Sequence, residues 1–324
     1  MARRGTTAHR KKTPDIGKRL IRLVEDETGG EPTGANRFVR SSLRSLAERL
    51  GQGSPTTVRR LLRDLGFSPR VNVKRFTGPP HPDRDKQFQY LRRQRRKFQR
   101  AGCPAVSVDA KKKELVGNFR NAGRKWSRRA EEVNAHDFPQ DAECRAAPYG
   151  IYDTGRNAGH VCVGISTETS EFAVDSLRQW WRTRGKRAYP GTRKIFIEAD
   201  AGGSNGYRRR LWKRELQRWA NADGLEITVS HYPTGASKWN PVEHRLFGPI
   251  STNWAGQPLR TLDTLLGFIR GTRSRTGLRV TARLNDKCYA AKIRVTDDEM
   301  AQINIHSHPT CPQWNYTIKP KLRR

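Results

Sequence analysis

Two aspartates each end a short apolar run of the kind that forms a β-strand. Asp109 ends the run AVSVD, and Asp200 ends the run RKIFIEAD. Open α/β sheets form their ligand-binding crevices at the carboxyl ends of strands. A single aspartate there is more often a turn residue, but two strand ends together with Glu243, at the start of a later helix, predict a carboxylate cluster. Such hard oxygen ligands suit two Mg²⁺ ions about 3.5 to 4 Å apart, which activate water for in-line attack on a phosphodiester.

Glu243 also has a purely structural interpretation. In the stretch NPVE, Asn240 suits an N-cap, Pro241 the first helical position and Glu243 the third, close to a capping box worth about 1 kcal/mol or less. Leu246 and Phe247 lie three and four residues further on, so Glu243 shares the helix face that should pack on the sheet. An acid at the edge of a buried face is costly unless it is paired or metal-bound. We therefore expect its carboxylate to point toward the two strand ends.

Two other acids are alternatives for the same cluster. Asp153 lies in a predicted hairpin, where a turn role is natural, and Glu198 shares the strand face of Asp200 because the two are two residues apart. After Glu243, the pair Gly248-Pro249 predicts a kink or an end to the helix.

The charge balance of the 324-residue chain is strongly basic. Lys plus Arg number 64 and Asp plus Glu 31, a net charge of +33, which favours a nucleic-acid partner. A membrane surface is the alternative, but the sequence has no long apolar run, signal peptide or lipidation pattern. Five cysteines without a C-x-x-C pair favour a reducing, cytoplasmic compartment. The stretch HSHPTC lacks the paired spacing of zinc sites, so an irregular tail is the favoured interpretation.

The N-terminal part of the chain predicts a helix-turn-helix. Apolar residues recur at helical spacing from Ile16 to Val24, and again in two helices joined by a turn at Gly51 to Gly53, with Ser54-Pro55 starting the second. This arrangement matches a DNA-binding helix-turn-helix, although an ordinary helical hairpin is the alternative. The polar side chains that the second helix presents away from its apolar face are Thr56, Thr57, Arg59, Arg60 and Arg63.

Strands alternate with helices from Cys103 onward, which predicts a mixed sheet flanked by helices. Upstream lie a proline-rich hinge, TGPPHPD, and a basic helical run that suggests a linker along phosphates. The predicted segments are 1–34, a basic N-terminus and first helix; 35–78, the helix-turn-helix region; 79–102, the basic linker helix; 103–300, the catalytic domain; and 301–324, a tail.

Six blocks of sequence follow one another along the chain: SVDAKKKELVGNFRNAGRKW, VNAHDFP, YGIYDTGRN, EADAGGSNGYRRRLWKRELQ, SKWNPVEHRLF and WNYTIKP. In this order they closely resemble the Rhodopirellula-type DDE transposases of bacterial insertion sequences, over about residues 35 to 320. The resemblance implies a ribonuclease-H-like core whose three acids bind two divalent metals. It puts those acids at Asp109, Asp200 and Glu243. The implied activity is cutting DNA at the ends of the element and joining the freed 3′ hydroxyl to target DNA.

The resemblance also implies the surroundings of that reaction. The cofactor would be two Mg²⁺ ions, with Mn²⁺ as a substitute, and water and then a DNA 3′ hydroxyl would be the successive nucleophiles. The partners would be element ends and target DNA, handled by a homo-oligomer in the bacterial cytoplasm at the nucleoid, with no membrane. The basic residues expected to grip the DNA backbone near the cut are Lys111, Lys112, Lys113, Lys238, His244 and Arg245.

Two other hypotheses remain open at this point. The chain begins near the DNA-binding helices, as expected of an N-terminally truncated, catalytically inactive DNA-binding protein derived from a transposase. A plain nuclease would cut without preference for ends and would leave no joined products.

Overall fold

The computed structural model describes residues 15–26, 28–29, 38–39, 41–69 and 81–321. The chain divides into two compact units, residues 1–75 (unit 1) and 76–324 (unit 2). The expectations for the basic N-terminus, residues 1–14, and for the hinge residues 77–80 lie outside the described residues.

Unit 1 is a small helical unit. Its elements are α1 (Ile16–Asp26), the short antiparallel pair β1 (Thr28–Gly29) and β2 (Phe38–Val39), α2 (Leu43–Leu50) and α3 (Pro55–Asp64). The predicted glycine turn is present, with Gly51 in the left-handed region at φ 68°. Ser54 caps α3, because its hydroxyl accepts the Thr57 amide at 3.3 Å. Leu20 and Val24 of α1 pack in one core with α2 and α3. The first helix therefore belongs to the same unit as the helix-turn-helix, whereas the predicted segments separate them between residues 34 and 35.

Unit 2 contains the large sheet. Its strands are β3 (Ala105–Ala110), β4 (Glu114–Val116), β5 (Cys144–Asp153), β6 (Ala158–Gly164), β7 (Lys194–Ala199), β8 (Glu226–His231), β9 (Arg279–Asn285), β10 (Ile305–Ser307) and β11 (Asn315–Ile318). Its helices are α4 (Arg84–Arg100), α5 (Ser170–Trp180), α6 (Lys186–Ala188), α7 (Arg210–Asp223), α8 (Gly248–Asn253), α9 (Leu262–Gly271) and α10 (Asp297–Ala301).

The sheet is mixed, as the sequence predicts. Its order within the described residues is β10-β11-β8-β7-β3-β5-β6-β9, with β4 beside β5. The central strands β3, β7 and β8 are parallel, whereas β5 runs antiparallel to β3 and to β6. This mixed sheet flanked by helices has the ribonuclease-H-like architecture that the resemblance implies.

Each face of the sheet carries its own core. Side chains such as Val106 and Ile197 pack against α5 and α7 on one face. On the other face, β5, β6 and β9 pack against α9 and the helix that ends in α8, while α4 packs against β3 and β7. Because side chains alternate along a strand, Asp109 belongs to this second face, together with Ser107.

The helix α4 belongs to unit 2 and is not a separate linker. Gln87 is fully buried, and its amide donates to the His231 carbonyl at 2.8 Å and to the Asn315 side chain at 2.9 Å. Further along the helix, Arg95 binds the buried carboxylate of Glu198. The sequence predicts the helix correctly. Its many basic residues, however, make the buried face, which includes Gln87 and Leu91, difficult to recognise from the sequence.

The last part of the chain is not an irregular tail, as predicted, but contributes two strands to the large sheet. The strand β11 pairs with β8, and β10 adds to its outer edge. In the stretch HSHPTC, His308 forms hydrogen bonds with Tyr90 and Thr317. In the part of the chain that the structure describes, no helix is long and apolar enough to cross a membrane.

Candidate active site

The two predicted strand-end aspartates are neighbours at one edge of the sheet. The strands β3 and β7 run parallel with Val108 opposite Ala199, so Asp109 and Asp200 come directly after a paired position. The Asp109 carboxylate accepts the Ala110 amide at 2.8 Å. The carboxyl ends of two central parallel strands thus bring both acids to the same place.

A buried polar pair fastens the start of the Glu243 helix to these strands. Asn240 is fully buried, and its amide nitrogen donates to the Asp200 carboxylate at 3.0 Å and to the Val108 carbonyl at 3.1 Å. Its amide oxygen accepts the hydroxyl of Ser107, which in turn accepts the Val242 amide at 2.9 Å. The Asn240 side chain therefore does not form the predicted cap; the Ser107 hydroxyl satisfies one of the free amides at the helix start. Neither role was predicted from the sequence, although Ser107 lies on the same strand face as Asp109.

The helix that carries Glu243 does not end at Gly248-Pro249. Residues 241–242 are α-helical, Glu243–Phe247 form a π-helical turn, and α8 continues directly from Gly248 to Asn253. The Gly248 amide bonds back to the Glu243 carbonyl, five residues earlier. The wider turn accommodates Pro249, which has no amide hydrogen and would clash with a regular preceding turn.

Two glycines let this helix lie close to the sheet. A Cβ atom on Gly150 would come within 2.5 Å of the Phe247 ring, and one on Gly159 within 2.4 Å of Leu246. Gly150 is also the direct cross-strand partner of Asp109. The predicted inward face of the helix, Leu246 and Phe247, thus packs over β5 and β6, and Glu243 enters on the Asp109 side.

The three acids influence one another electrostatically. Burial, which is the largest cause, and the negative charges of Asp200 and Glu243 together raise the pKa of Asp109 to about 8, against the Ala110 hydrogen bond. Burial likewise raises the pKa of Asp200 to about 6, with a contribution from the Glu243 charge, although the Asn240 hydrogen bond lowers it. A cation bound near Asp109 and Asp200 would offset the repulsion and burial that oppose the ionisation of these two carboxyl groups.

The donor set fits a hard divalent cation in chemistry, since it consists of carboxylate oxygens alone. Within the described residues, no group of three or more His, Cys, Asp or Glu side chains already has the geometry of a metal site. Asp109, Asp200 and Glu243 are close enough to raise a carboxyl pKa, but they do not converge on one point.

A chain of buried hydrogen bonds holds the backbone of Asp200. Trp212 donates to the Tyr316 hydroxyl at 2.9 Å, and that hydroxyl lies 3.2 Å from Nε2 of His231. The opposite ring nitrogen of His231 is 2.9 Å from the Asp200 carbonyl, which can only accept, so Nδ1 carries the proton. Burial lowers the pKa of His231 to about 4, so the ring is neutral. No sequence pattern predicts this support, which joins α7, β11 and β8.

The two alternative acids have structural partners. Glu198 is fully buried and binds Arg95, at 2.6 Å from Nε, and the Tyr232 hydroxyl, at 2.7 Å. Asp153 accepts the amides of Gly155 and Arg156 at 3.1 Å, as a turn residue does.

The predicted backbone-gripping residues have different surroundings. Lys111 is largely buried, because its ammonium binds Glu114 and lies 4.9 Å from the Trp254 ring centre. In contrast, Lys112 and Lys113 are exposed beyond the end of β3. The basic residues that flank Glu243 are exposed as well: Lys238, His244 and Arg245.

In unit 1, the predicted recognition side chains lie on α3. Thr56, Arg59, Arg60 and Arg63 are exposed, while Thr57 is half-buried beside the Ser54 cap.

Comparison with known proteins shows the family of the chain. Residues 19–320 match the family model described as the Rhodopirellula transposase DDE domain. No curated protein matches the chain. Among solved structures, the chain is similar to the Mos1 transposase paired-end complex with left transposon end (15% identity, TM-score 0.43, covering 83% of this chain and 73% of that one). It is also similar to the Mos1 mariner paired end complex with Mn (13% identity, TM-score 0.42, 83% and 73%) and to the Mos1 Strand Transfer Complex (15% identity, TM-score 0.41, 83% and 72%). Since the family model spans nearly the whole chain, the protein belongs to the Rhodopirellula transposase DDE domain family.

Proposed function

We propose that the chain is the DNA transposase of an insertion sequence, with Asp109, Asp200 and Glu243 as its catalytic acids. The observation that supports the proposal is the proximity of the acids at the carboxyl edge of the sheet, where the charges of both Asp200 and Glu243 contribute to the raised pKa of Asp109. The rival acids Glu198 and Asp153 are already engaged by Arg95 and by a turn.

Two successive displacements at phosphorus make up the proposed reaction. In the first, a water oxygen bonds to the phosphorus at the element end, and the bond from phosphorus to the 3′ oxygen breaks. That oxygen takes up a proton and becomes a free 3′ hydroxyl, while the flanking DNA keeps a 5′ phosphate. In the second, the 3′ hydroxyl attacks a target phosphodiester, loses its proton and displaces the 3′ oxygen of the neighbouring target nucleotide.

The residues of the chain contribute position and charge. Asp109 and Asp200 are fixed by the strands and by the Asn240 amide, and Glu243 by the helix packed over Gly150. Asp109, Asp200 and Glu243 would hold two divalent cations, Mg²⁺ or Mn²⁺, which when bound supply Lewis acidity and neutralise the charge that develops at phosphorus. Catalysis of this type depends mainly on positioning and charge neutralisation.

DNA contacts are proposed for two regions. The exposed side chains of Lys112, Lys113, Lys238, His244 and Arg245 would hold the backbone near the cut, and Lys111 would act mainly through its contacts with Glu114 and Trp254. Unit 1 would recognise the element end through α3, using Thr56, Thr57, Arg59, Arg60 and Arg63. Two ends must be processed together, so we propose a homo-oligomer on DNA, working at the bacterial nucleoid.

A plasmid assay tests this function. The substrate is a supercoiled plasmid that carries the DNA flanking the gene, incubated with Mg²⁺ or Mn²⁺. Nicks confined to the element ends, followed by joined products, support a transposase. Salt-sensitive binding without cuts would instead identify an inactive DNA-binding relative, and cuts without end preference or joining would identify a nuclease.

A further inference from the structure

A strongly basic groove lies beyond the catalytic acids, on the side of α7. Its volume is about 790 Å³. We name it the α7 groove and define it by its six basic residues: Lys113, Arg208, Arg209, Arg210, Lys292 and Arg294. Glu168 is the one acidic residue that lines it, so the groove is an attractive site for a polyanion.

Most of these positive charges are not neutralised within the chain. All six side chains belong to exposed residues. Within the described residues, Arg210 forms an ion pair with Asp297 at 2.6 Å, whereas the other five form no ion pair. Because the cations outnumber the acidic groups near them and repel one another, the excess positive charge favours the binding of a polyanion.

The start of α7 adds to this positive field. Arg209 is the N-cap residue, no side chain caps the helix, and Arg210 is the first helical residue. Arginines at the positive end of a helix dipole are unfavourable, whereas an anion there is favoured. A phosphate in the groove would therefore meet both the side chains and the helix terminus.

The groove starts close to the catalytic strand ends. Lys113 is four residues beyond Asp109, and Gly203, which also lines the groove, is three residues beyond Asp200. The helix α7 packs on the opposite face of the sheet from the helix of Glu243. The exposed Lys238, His244 and Arg245 and the α7 groove are therefore two basic surfaces on different faces of one sheet.

We propose that the α7 groove binds the phosphodiester backbone of the target DNA, while the surface around Glu243 holds the element end. The inference rests on the proposed transposase function, which requires two DNA segments at one set of acids. Target DNA varies in sequence, and the groove offers cations and the hydroxyls of Thr167 and Thr169, which suit phosphate oxygens.

A charge-reversal variant tests the groove. The variant Arg208→Glu, Lys292→Glu, Arg294→Glu is compared with Arg182→Glu, Arg187→Glu, Arg193→Glu, which changes the net charge equally. The control residues are exposed and lie on the segment that leads to the amino end of β7. Cleavage is measured on the plasmid that carries the element ends, and joining with a pre-cut element end that has a free 3′ hydroxyl and a separate supercoiled target.

Joining should fall about tenfold or more in the groove variant, with cleavage within about twofold of wild type and no change in the control. The slope of the logarithm of the binding constant for a random duplex against the logarithm of the salt concentration should also become shallower by about 2 to 3, as expected for three lost phosphate contacts. Equal losses of cleavage and joining, or unchanged joining, would overturn the assignment to target DNA. If the wild-type chain cuts nothing, the proposed function fails, but the salt dependence of binding still tests whether the α7 groove binds DNA. An equal slope in wild type, groove variant and control would show that the groove does not bind the DNA backbone.

Discussion

The Asn240 side chain donates to the Asp200 carboxylate at 3.0 Å, and Asn240 is fully buried three residues before Glu243. One side chain thus connects the strand end that carries the second acid with the helix that carries the third. The candidate site depends on this buried contact as much as on the acids themselves.

We expect Asn240→Ala to abolish cleavage and to destabilise unit 2 by about 2 to 3 kcal/mol, because it removes the buried acceptor of the Ser107 hydroxyl and the amide that donates to the Val108 carbonyl and the Asp200 carboxylate. Chemical denaturation followed by tryptophan fluorescence measures the stability, since all eight tryptophans lie in unit 2. The matched control is Asn253→Ala at the far end of the same helix, where the side chain donates to the Phe268 carbonyl at 2.8 Å. Asn253→Ala should keep cleavage; an Asn240→Ala variant that cuts like wild type would show that the contact does not position the acids.

Gly150→Ala should impair cleavage by moving the helix that carries Glu243. The new methyl group would lie 2.5 Å from the Phe247 ring and 3.1 Å from Val242, and overpacking of this kind costs about 1 to 3 kcal/mol. The double variant Gly150→Ala, Phe247→Leu should recover part of the activity because it removes the clashing ring. Gly155→Ala is the control, as its nearest neighbour is 3.5 Å away. Wild-type cleavage by Gly150→Ala would mean that close packing at this point is not needed.

The response of thermal stability to metal should depend on Asp109. We expect Mg²⁺ or Mn²⁺ to raise the melting temperature of the wild-type chain, and Asp109→Asn to remove that rise. In EDTA, Asp109→Asn should melt higher than wild type, because one of three mutually repelling carboxylates is gone. Calorimetry of both proteins, with and without metal, gives the comparison.

Glu198→Gln provides the contrast to Asp109→Asn. It should lower stability by about 3 kcal/mol, since it breaks the buried pair with Arg95, but it should keep the metal-induced rise in melting temperature. If Glu198→Gln loses the metal response and Asp109→Asn keeps it, the choice of acids is wrong.

Stability should fall as the pH drops from about 6.5 to 4, partly because of His160. Burial, which is the largest cause, and the charges of Arg184 on the turn after α5 and Arg283 on β9 together lower the pKa of His160 to about 4, although a hydrogen bond with Gln179 opposes the shift. The unfolded chain, with an ordinary histidine pKa near 6.5, binds more protons in this range, so stability rises with pH by up to about 3 kcal/mol in total. His160→Gln should flatten this dependence in denaturation curves at pH 4.5, 5.5 and 7. An unaltered slope, equal to that of the exposed control His306→Gln, would contradict this origin.

The positions of the three candidate acids can be predicted from the sequence because each one follows from a local pattern of apolar residues. Asp109 and Asp200 end apolar runs, and Glu243 precedes two apolar residues at helical spacing, so strand ends and a helix face can be read directly. The support around them is tertiary: the pairing of Ser107 with Asn240, and of His231 with Tyr316, joins residues far apart in the chain. No local pattern identifies such partners.

Three elements, α4, β10 and β11, differ from the sequence-based expectations for physical reasons. The helix α4 is so rich in arginine that its buried side, including Gln87 and Leu91, does not stand out as an apolar stripe. The strands β10 and β11 are short and contain polar residues such as Asn315, which is buried only because Gln87 and nearby carbonyls satisfy its amide. In both cases the sheet determines what the segment becomes.

The most direct test of the account is the rate of end-specific, Mg²⁺-dependent cleavage by Asp109→Asn, Asp200→Asn, Glu243→Gln and their double combinations, with end binding measured in parallel. The account predicts that each single variant loses cleavage by about a thousandfold or more while it still binds DNA, and that the double variants lose little more, since the acids act as one unit. Near-wild-type cleavage by any one of the three single variants would remove that residue from the site and contradict the proposed triad.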